Sequence, residues 1–445
     1  MFNLLQRCGI IIYPNSNSEK ERYILAEKLP HVVIVGAGFG GVAAMKAFKN
    51  KNVKITWVDR TNYHLFQPLL YQLSTAVLST DDISFPVRAM FRKRKNMDLF
   101  MAKATGIDGK NKILHTNHGD ISYDYLIVAA GATNNFFGMK NVEKYSYGMK
   151  TIQEALHIRN HALHMFERAN KQEDSEAERR KMLTFVCVGG GPTGVEEAGA
   201  LAELVAVQKL DYPNLNFDEV SIKLIEATDR VLPMMPENLQ KYTLDVLRKK
   251  GVEVMLNTQV ADCSEDGLTL KDGTFIPSKT VIWAAGVRAH DLVSTIGAEC
   301  DRAGRVIVEK TLQVPGYPEI FAIGDNAHFL QDGRPLATVA PVANQEARVA
   351  VDNIMRMIKG EKLQEFVYKD YGSMATIGRC EAVVSWGILK TGGFFAWLIW
   401  MFLHLMRLEG AHEDITVGTK WFWNFISGAR LGRIITNIKF EELEK

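Results

Sequence analysis

Two short apolar runs are followed by the same glycine punctuation. Residues 32–35 (VVIV) lead straight into GAGFGG, and residues 185–188 (FVCV) lead straight into GGGPTG. A β-branched-rich run that is apolar without alternation predicts a parallel strand buried on both faces. Each glycine turn precedes a segment of helical character, VAAMKAFKN and VEEAGALAELVAVQ. Each unit then has a later strand ending in an acid, ITWVD (55–59) and IKLIE (222–226). Strand, turn, helix and strand, twice over, predict two α/β nucleotide-binding modules. Three further runs end in glycine, YLIVAAG (125–131), VIWAAG (281–286) and IFAIGD (320–325), and read as strands that stop at a ligand crevice. The charged stretch 168–181 reads as a solvated linker or helix end, and RKRK (92–95) as a solvated basic face, with a membrane-facing role toward anionic lipid as the alternative.

Composition narrows the classes. The 445 residues suffice for two or three domains. At 47% apolar and 23% charged the chain is globular rather than disordered or collagen-like. A net charge of +2 gives no case for nucleic acid as a partner. The five cysteines (8, 187, 263, 300, 380) show no CxxC and no metal-ligand spacing, so no metal site is expected and a reduced, cytosol-facing protein is. Residues 1–30 lack the features of a signal peptide and read as a loosely held extension. Residues 391–406 carry no formal charge but fall short of the ~20 residues a bilayer-crossing helix needs. Five of the seven tryptophans (386, 397, 400, 421, 423) lie in the last 60 residues. Insertion into one leaflet is the favoured reading, with Trp397, Trp400, Trp421 and Trp423 at the membrane interface; a buried core helix is the alternative.

The glycines carry the chemistry. Gly36, Gly38 and Gly41 stand in GxGxxG register: one for the tight turn, one for approach of a pyrophosphate, one for close helix–strand packing. Asp59 follows Gly38 by 21 residues, the spacing of an acid that accepts from a ribose hydroxyl. Gly189, Gly191 and Gly194 repeat the register, but Glu226 lies 35 residues past Gly191; an insertion at 210–220 would explain the excess. Glu226 repels a 2′-phosphate and argues for NADH, although Arg230 stands nearby. Asp325, after a strand and a glycine, either caps backbone donors or, by resemblance to two-dinucleotide flavoproteins, holds a flavin's sugar-alcohol chain. Facing a nicotinamide and a flavin couples NADH oxidation to a second acceptor. The missing cysteine pair argues against a disulfide as that acceptor, leaving a quinone, oxygen or a protein partner.

From about His31 onward the chain resembles the type II NADH:quinone oxidoreductases, single-subunit and non-proton-pumping. The resemblance is carried by NYHLFQPLLYQLSTAVLSTDDISFPVR (62–88), GGGPTGVEEAGALAE (189–203), VIWAAGVRA (281–289), FAIGDNA (321–327), YGSMATIGR (371–379) and GFFAWLIWMFLHLMRLEG (393–410). It implies an α/β fold of two Rossmann-like domains, the second inserted in the first, plus a C-terminal membrane-associating helical segment. The expected divisions are 31–150 and 286–365 for FAD, 151–285 for NADH and 366–445 for the membrane. FAD contacts are expected from Gly36, Gly38, Phe39, Gly40, Gly41, Asp59, Arg60, Thr133, Gly324, Asp325 and Ala343. NADH contacts are expected from Gly189, Gly191, Pro192, Thr193, Gly194, Glu226, Ala285 and Gly286. By resemblance Glu196 is the acid beside the nicotinamide–flavin stack, and Gln345 the surviving polar anchor of a quinone motif in which Pro341 replaces the first glutamine. The implied partners are menaquinone or ubiquinone, a bilayer surface on the cytoplasmic face of the cell membrane, and a second copy in a homodimer. A soluble NADH:acceptor reductase and an NADH-sensing flavoprotein of the apoptosis-inducing-factor type are the alternatives.

Overall fold

The computed structural model describes residues 29–171 and 174–436. Residues 1–28 of the expected extension, with Cys8, lie outside the described residues. The chain starts with β1 (His31–Val35), α1 (Phe39–Ala47) and β2 (Lys54–Asp59), followed by α2 (Leu70–Ser74), β3 (Met97–Met101) and β4 (Tyr125–Val128). It crosses over through β5 (Ala132–Asn134) into β6 (Tyr147–Gly148), α3 (Ile152–Asn170), β7 (Thr184–Val188), α4 (Pro192–Asp211), β8 (Ser221–Ile225), β9 (Val252–Met255) and β10 (Thr280–Trp283). It returns through β11 (Val287–Ala289), which pairs antiparallel with β5, to β12 (Gln313–Val314), β13 (Tyr317–Ala322) and α5 (Ala340–Lys359). Last come β14 (Ser373–Gly378), β15 (Glu381–Trp386), β16 (Leu389–Gly392), α6 (Phe394–Leu405) and α7 (Ala411–Ser427).

The first sheet runs β12-β13-β4-β1-β2-β3 and the second β6-β10-β7-β8-β9. Both place the strand before a glycine turn in the middle. The acid-ending strand flanks it on one side and a strand ending in Ala-Ala-Gly on the other, all parallel. Val32, Val33 and Ile34 are wholly buried, as a two-faced parallel strand requires. The second sheet takes its first strand at Tyr147–Gly148, a few residues before the expected division at 151. Glu226 is distant from Gly191 because α4 runs to Asp211 and a loop with one short 3₁₀ turn follows; the extra length is partly helix, not all insertion.

The C-terminal part is more than helical. β14–β16 form an antiparallel sheet, and residues 391–392, expected in the apolar helix, belong to it. β14 passes so close to α4 that a Cβ on Gly199 would overlap the carbonyl of Ile377. Three tryptophans expected at a membrane interface are instead buried: Trp397, Trp400 and Trp421. Trp400 stacks on His404, with ring centroids 4.0 Å apart, and lies 5.5 Å from Trp421. Trp421 Nε1 donates to Gln72 Oε1 at 2.7 Å, and Lys420 pairs with Asp82 at 2.6 Å. The 62–88 segment is thus the floor on which α6 and α7 sit. Trp386 and Trp423 do remain exposed.

Candidate functional site

The two glycine turns match atom for atom. Gly36 (φ +103°) and Gly189 (φ +116°) hold left-handed conformations, and a Cβ on either would strike the first alanine carbonyl beyond the neighbouring strand, Ala129 or Ala284. A Cβ on Gly41 would overlap the carbonyl oxygen of Gly36, and one on Gly194 that of Gly189. Gly38 and Gly191 differ: their backbones are extended, and no protein atom lies within 4 Å of where a Cβ would stand. The outer glycines serve the protein's own packing, whereas the middle ones border open space at a helix N-terminus. Neither helix has an acid in its first turn or a side-chain cap, so its first backbone donors are open to an anion. Gly40 packs on Ile323, and Pro192 occupies the first turn of α4 beside exposed Thr193.

The two acids also match. Asp59 Oδ2 accepts from Ala37 N–H at 2.6 Å, and its Oδ1 from Thr61 N–H and Oγ1 at 2.7 Å each. Glu226 Oε2 accepts from Gly190 N–H at 2.5 Å, and its Oε1 from Thr228 N–H and Oγ1 at 2.8 Å each. A carboxylate has about four acceptor sites, so each keeps capacity for a sugar hydroxyl. Arg230 is engaged by Asp229 at 2.6 and 2.7 Å and does not reach Glu226.

Asp325 sits on a 3₁₀ turn after β13, with Lys150 Nζ 4.0 Å away; burial pushes its carboxyl up and Lys150 and Arg305 pull it down. Gly324 (φ +63°) meets Ala343 of α5, and its N–H donates to Glu346 at 2.5 Å. Sequence reasoning missed Glu346, a wholly buried acid lifted to about 8 by burial, opposed by the Gly324 N–H and helped by Asp325. Its signal was there: an acid on the inner face of a helix between Ala343 and Ala347. Phe39 packs edge-on to His64 and Phe66 at the mouth of the first turn. Thr133 and Gly286 lie on or beside the β5–β11 ribbon, with Ala285 adjacent, while Arg60 is exposed. The amide of Gln345 is engaged at both ends by the Lys369 backbone, at 3.0 Å each way. Pro341 lies in the first turn of α5.

Behind the second turn lies a buried acid pair. Glu196 is half-buried, but its carboxyl is enclosed; burial lifts it to about 8, the Thr376 N–H opposing and Glu197 assisting. Its Oε1 lies 3.4 Å from Thr376 N. Glu197 is completely buried and is also lifted to about 8 by burial, against the pull of Ser74 and Arg430. Ser74 Oγ lies 2.8 Å from the Tyr71 carbonyl and 2.7 Å from Glu197 Oε2. The Ser74 hydroxyl donates to the Glu197 carboxyl and so favours its ionised form, which burial outweighs. Next to the pair, Tyr71, Gln72, Thr376, Trp397, Trp400 and Trp421 help line a narrow cleft that opens partly to solvent. Fully buried Arg430 closes it, bonded to Thr75 O at 2.6 Å and Glu203 at 2.9 Å. Among the described residues no group of His, Cys, Asp and Glu is arranged to hold a metal ion. Cys187 and Cys263 are buried, Cys300 and Cys380 partly so, and these four are all free.

Two dinucleotide crevices on one α/β chain define a two-nucleotide oxidoreductase. The pyridine nucleotide-disulphide oxidoreductase family matches residues 30–347. The type II NADH:quinone oxidoreductase Ndh of Mycobacterium tuberculosis is 40% identical over 91% of this chain and 90% of its own length. The type II NADH:quinone oxidoreductase of Staphylococcus aureus is 30% identical over 81% of this chain and 90% of its own. A structure of NDH2 from Plasmodium falciparum in complex with NADH superposes with a TM-score of 0.84 at 22% identity, over 92% of this chain and all of that one, a likeness of fold. The chain belongs to the type II NADH:quinone oxidoreductase family.

Proposed function

We infer that the chain oxidises NADH and passes the two electrons to a quinone, with FAD as its resident cofactor and without proton pumping. The matched pair of crevices carries this reading, because the space at Gly38 and Gly191 is what a pyrophosphate needs and no protein group fills it. When bound, FAD supplies a carrier that accepts hydride and releases electrons singly or in pairs. In this reading Asp59 and Asp325 hold the FAD sugar hydroxyls, with the remaining expected FAD contacts around the first turn. Glu226 holds the NADH ribose and Gly189–Gly194 its pyrophosphate, beside Ala285 and Gly286. Glu196, protonated at neutral pH, puts no negative charge beside the hydride donor and keeps a proton available for the quinone side. Gln345 fastens the segment at Lys369 rather than presenting a free amide.

The quinone, menaquinone or ubiquinone, would enter from a bilayer through the cleft under α6. Support comes from an exposed apolar stripe: Phe395, Leu398 and Phe402 on α6, Met406 just past its end, and Ile415, Phe422 and Ile426 on α7. No helix among the described residues is long and apolar enough to cross a membrane, so the stripe suits peripheral contact. The cytoplasmic face and a homodimer complete the proposal. The test is NADH oxidation by the purified yellow protein with short-chain quinones in detergent. Rapid turnover and sedimentation with membranes are expected. A stable reduced complex without turnover would favour the sensor reading, and turnover by protein that stays in the supernatant the soluble reductase.

A further inference from the structure

The basic run left unexplained by the catalytic reading gains a partner in three dimensions. Residues 46–54 contain four lysines and no acid, and residues 88–97 contain five lysines and arginines and no acid. The fold puts these stretches side by side. Arg94 donates to the Met45 carbonyl at 3.0 Å, and the Asn96 amide donates to the carbonyls of Lys51 and Val53 at 3.4 and 2.9 Å. The patch is fixed to the core by Phe91, which is buried edge-on against Trp57 at 5.3 Å. Among the described residues only one of these nine cations forms an ion pair, Lys46, with Glu409 at 2.5 Å. Glu409 lies in the connection between α6 and α7, three residues after exposed Met406. With a chain total of only +2, this is a strong local excess of positive charge beside the apolar stripe.

We propose that the surface formed by Lys49, Arg92, Lys93 and Lys95 of the first module, next to the Lys46–Glu409 pair, binds anionic phospholipid headgroups. The proposal rests on the membrane reading of α6 and α7 and adds a second, electrostatic contact from a different part of the chain. Apolar insertion alone leaves the protein free to tilt and spin about the stripe. A fixed basic patch at the stripe's end sets the tilt and favours bilayers rich in negative lipid, since basic residues near such a surface each strengthen binding. Unpaired cations are the useful ones here, because a lipid phosphate need not displace an internal partner.

The test uses the full holoprotein, flotation on vesicles, and the variant Lys49→Gln/Arg92→Gln/Lys93→Gln/Lys95→Gln. Vesicles are phosphatidylcholine alone, or two parts phosphatidylcholine to one part phosphatidylglycerol. The parent should bind both, and the anionic vesicles more strongly. The variant should bind neutral vesicles like the parent and oxidise NADH with a soluble dye at the parental rate. It should lose roughly 10- to 100-fold of the anionic preference at about 50 mM salt. Raising salt should erase the parent's preference and leave neutral binding unchanged. A variant that keeps the full preference overturns the patch, as does a parent that binds neutral vesicles and gains nothing from phosphatidylglycerol. A parent that binds neither vesicle overturns the membrane reading itself and the patch with it.

Discussion

Gly38 and Gly41 lie in one fingerprint yet should fail in opposite ways when changed to alanine. Gly38 has an extended backbone (φ −75°, ψ −167°) that any residue adopts, and its absent Cβ would meet no protein atom within 4 Å. Gly38→Ala therefore leaves the fold without FAD unharmed, or stabilises it by ~0.4–1 kcal/mol through the unfolded chain. The new methyl instead stands where a pyrophosphate approaches. Loss of one charged hydrogen bond costs ~1.5–3 kcal/mol, roughly 10- to 150-fold in FAD Kd. Gly38→Val should abolish binding. Gly41→Ala drives a methyl into the carbonyl of Gly36, a rigid backbone atom. That overpacking costs ~1–3 kcal/mol or more, with or without FAD. Thermal melts read the contrast. FAD at 100 times the parental Kd adds ~2.7 kcal/mol to the parent but only ~0.4 kcal/mol to a variant binding a hundredfold more weakly. FAD titration by flavin fluorescence gives the affinities. If Gly38→Ala binds FAD like the parent, or is destabilised without FAD as much as Gly41→Ala, the division of roles among these glycines is wrong.

Three further outcomes follow from the site and its supports. Glu226→Gln should erode the preference for NADH over NADPH by about 1–3 kcal/mol in kcat/KM, and a parent that prefers NADPH would refute the assignment. Glu197 is lifted from 4.5 to about 8, so between those values the folded chain holds a proton that the unfolded chain has lost, and stability falls as pH rises. Glu197→Leu should flatten that slope by up to about 1.4 kcal/mol per pH unit in urea melts at pH 5 to 7.5; an unchanged slope shows the acid ionised throughout. Trp400→Ala, which opens a cavity under α6, should cost ~3–5 kcal/mol of stability. Phe402→Glu, on the exposed face, should leave stability nearly unchanged and release the protein from neutral vesicles. Equal destabilisation by both would mean that neither face of α6 is free. Cutting the chain before Gly392 cannot separate these effects, because the cut removes Trp397 and Trp400 from the core along with the stripe.

Much of the molecule was legible before any coordinates. The paired runs VVIV-GAGFGG and FVCV-GGGPTG predict the central strands of both sheets, because only strands buried on both faces read as unbroken apolar runs. The roles of Gly36, Gly41, Gly189 and Gly194 follow from spacing, since a residue count along one turn and one helix fixes which Cβ would collide. Asp59 follows for the same local reason. Glu226 does too, although its extra distance came largely from about three more turns of helix, which spacing alone does not distinguish from a loop.

What the sequence left open depends on contacts between distant parts of the chain. The stretch 394–406 carries two stripes at helical spacing, Trp397–Trp400–His404 and Phe395–Leu398–Phe402–Met406, neither with a formal charge. Only the position of Gln72, Asp82 and Trp421 decides which stripe is covered, and so three tryptophans went inside. Gln345, expected as a polar anchor, also exchanges one hydrogen bond at each end of its amide with the Lys369 backbone, 24 residues on, a contact that spacing does not show. The charge state of Glu197 is set by what encloses it, burial raising its pKa against the donating hydroxyl of Ser74, 123 residues away. Local pattern determined strands, turns and the glycines that border open space at the helix N-termini, since their geometry is set within a few residues. Burial, charge state and the outward face of each helix were decided by tertiary structure, since each is a property of what packs against the residue.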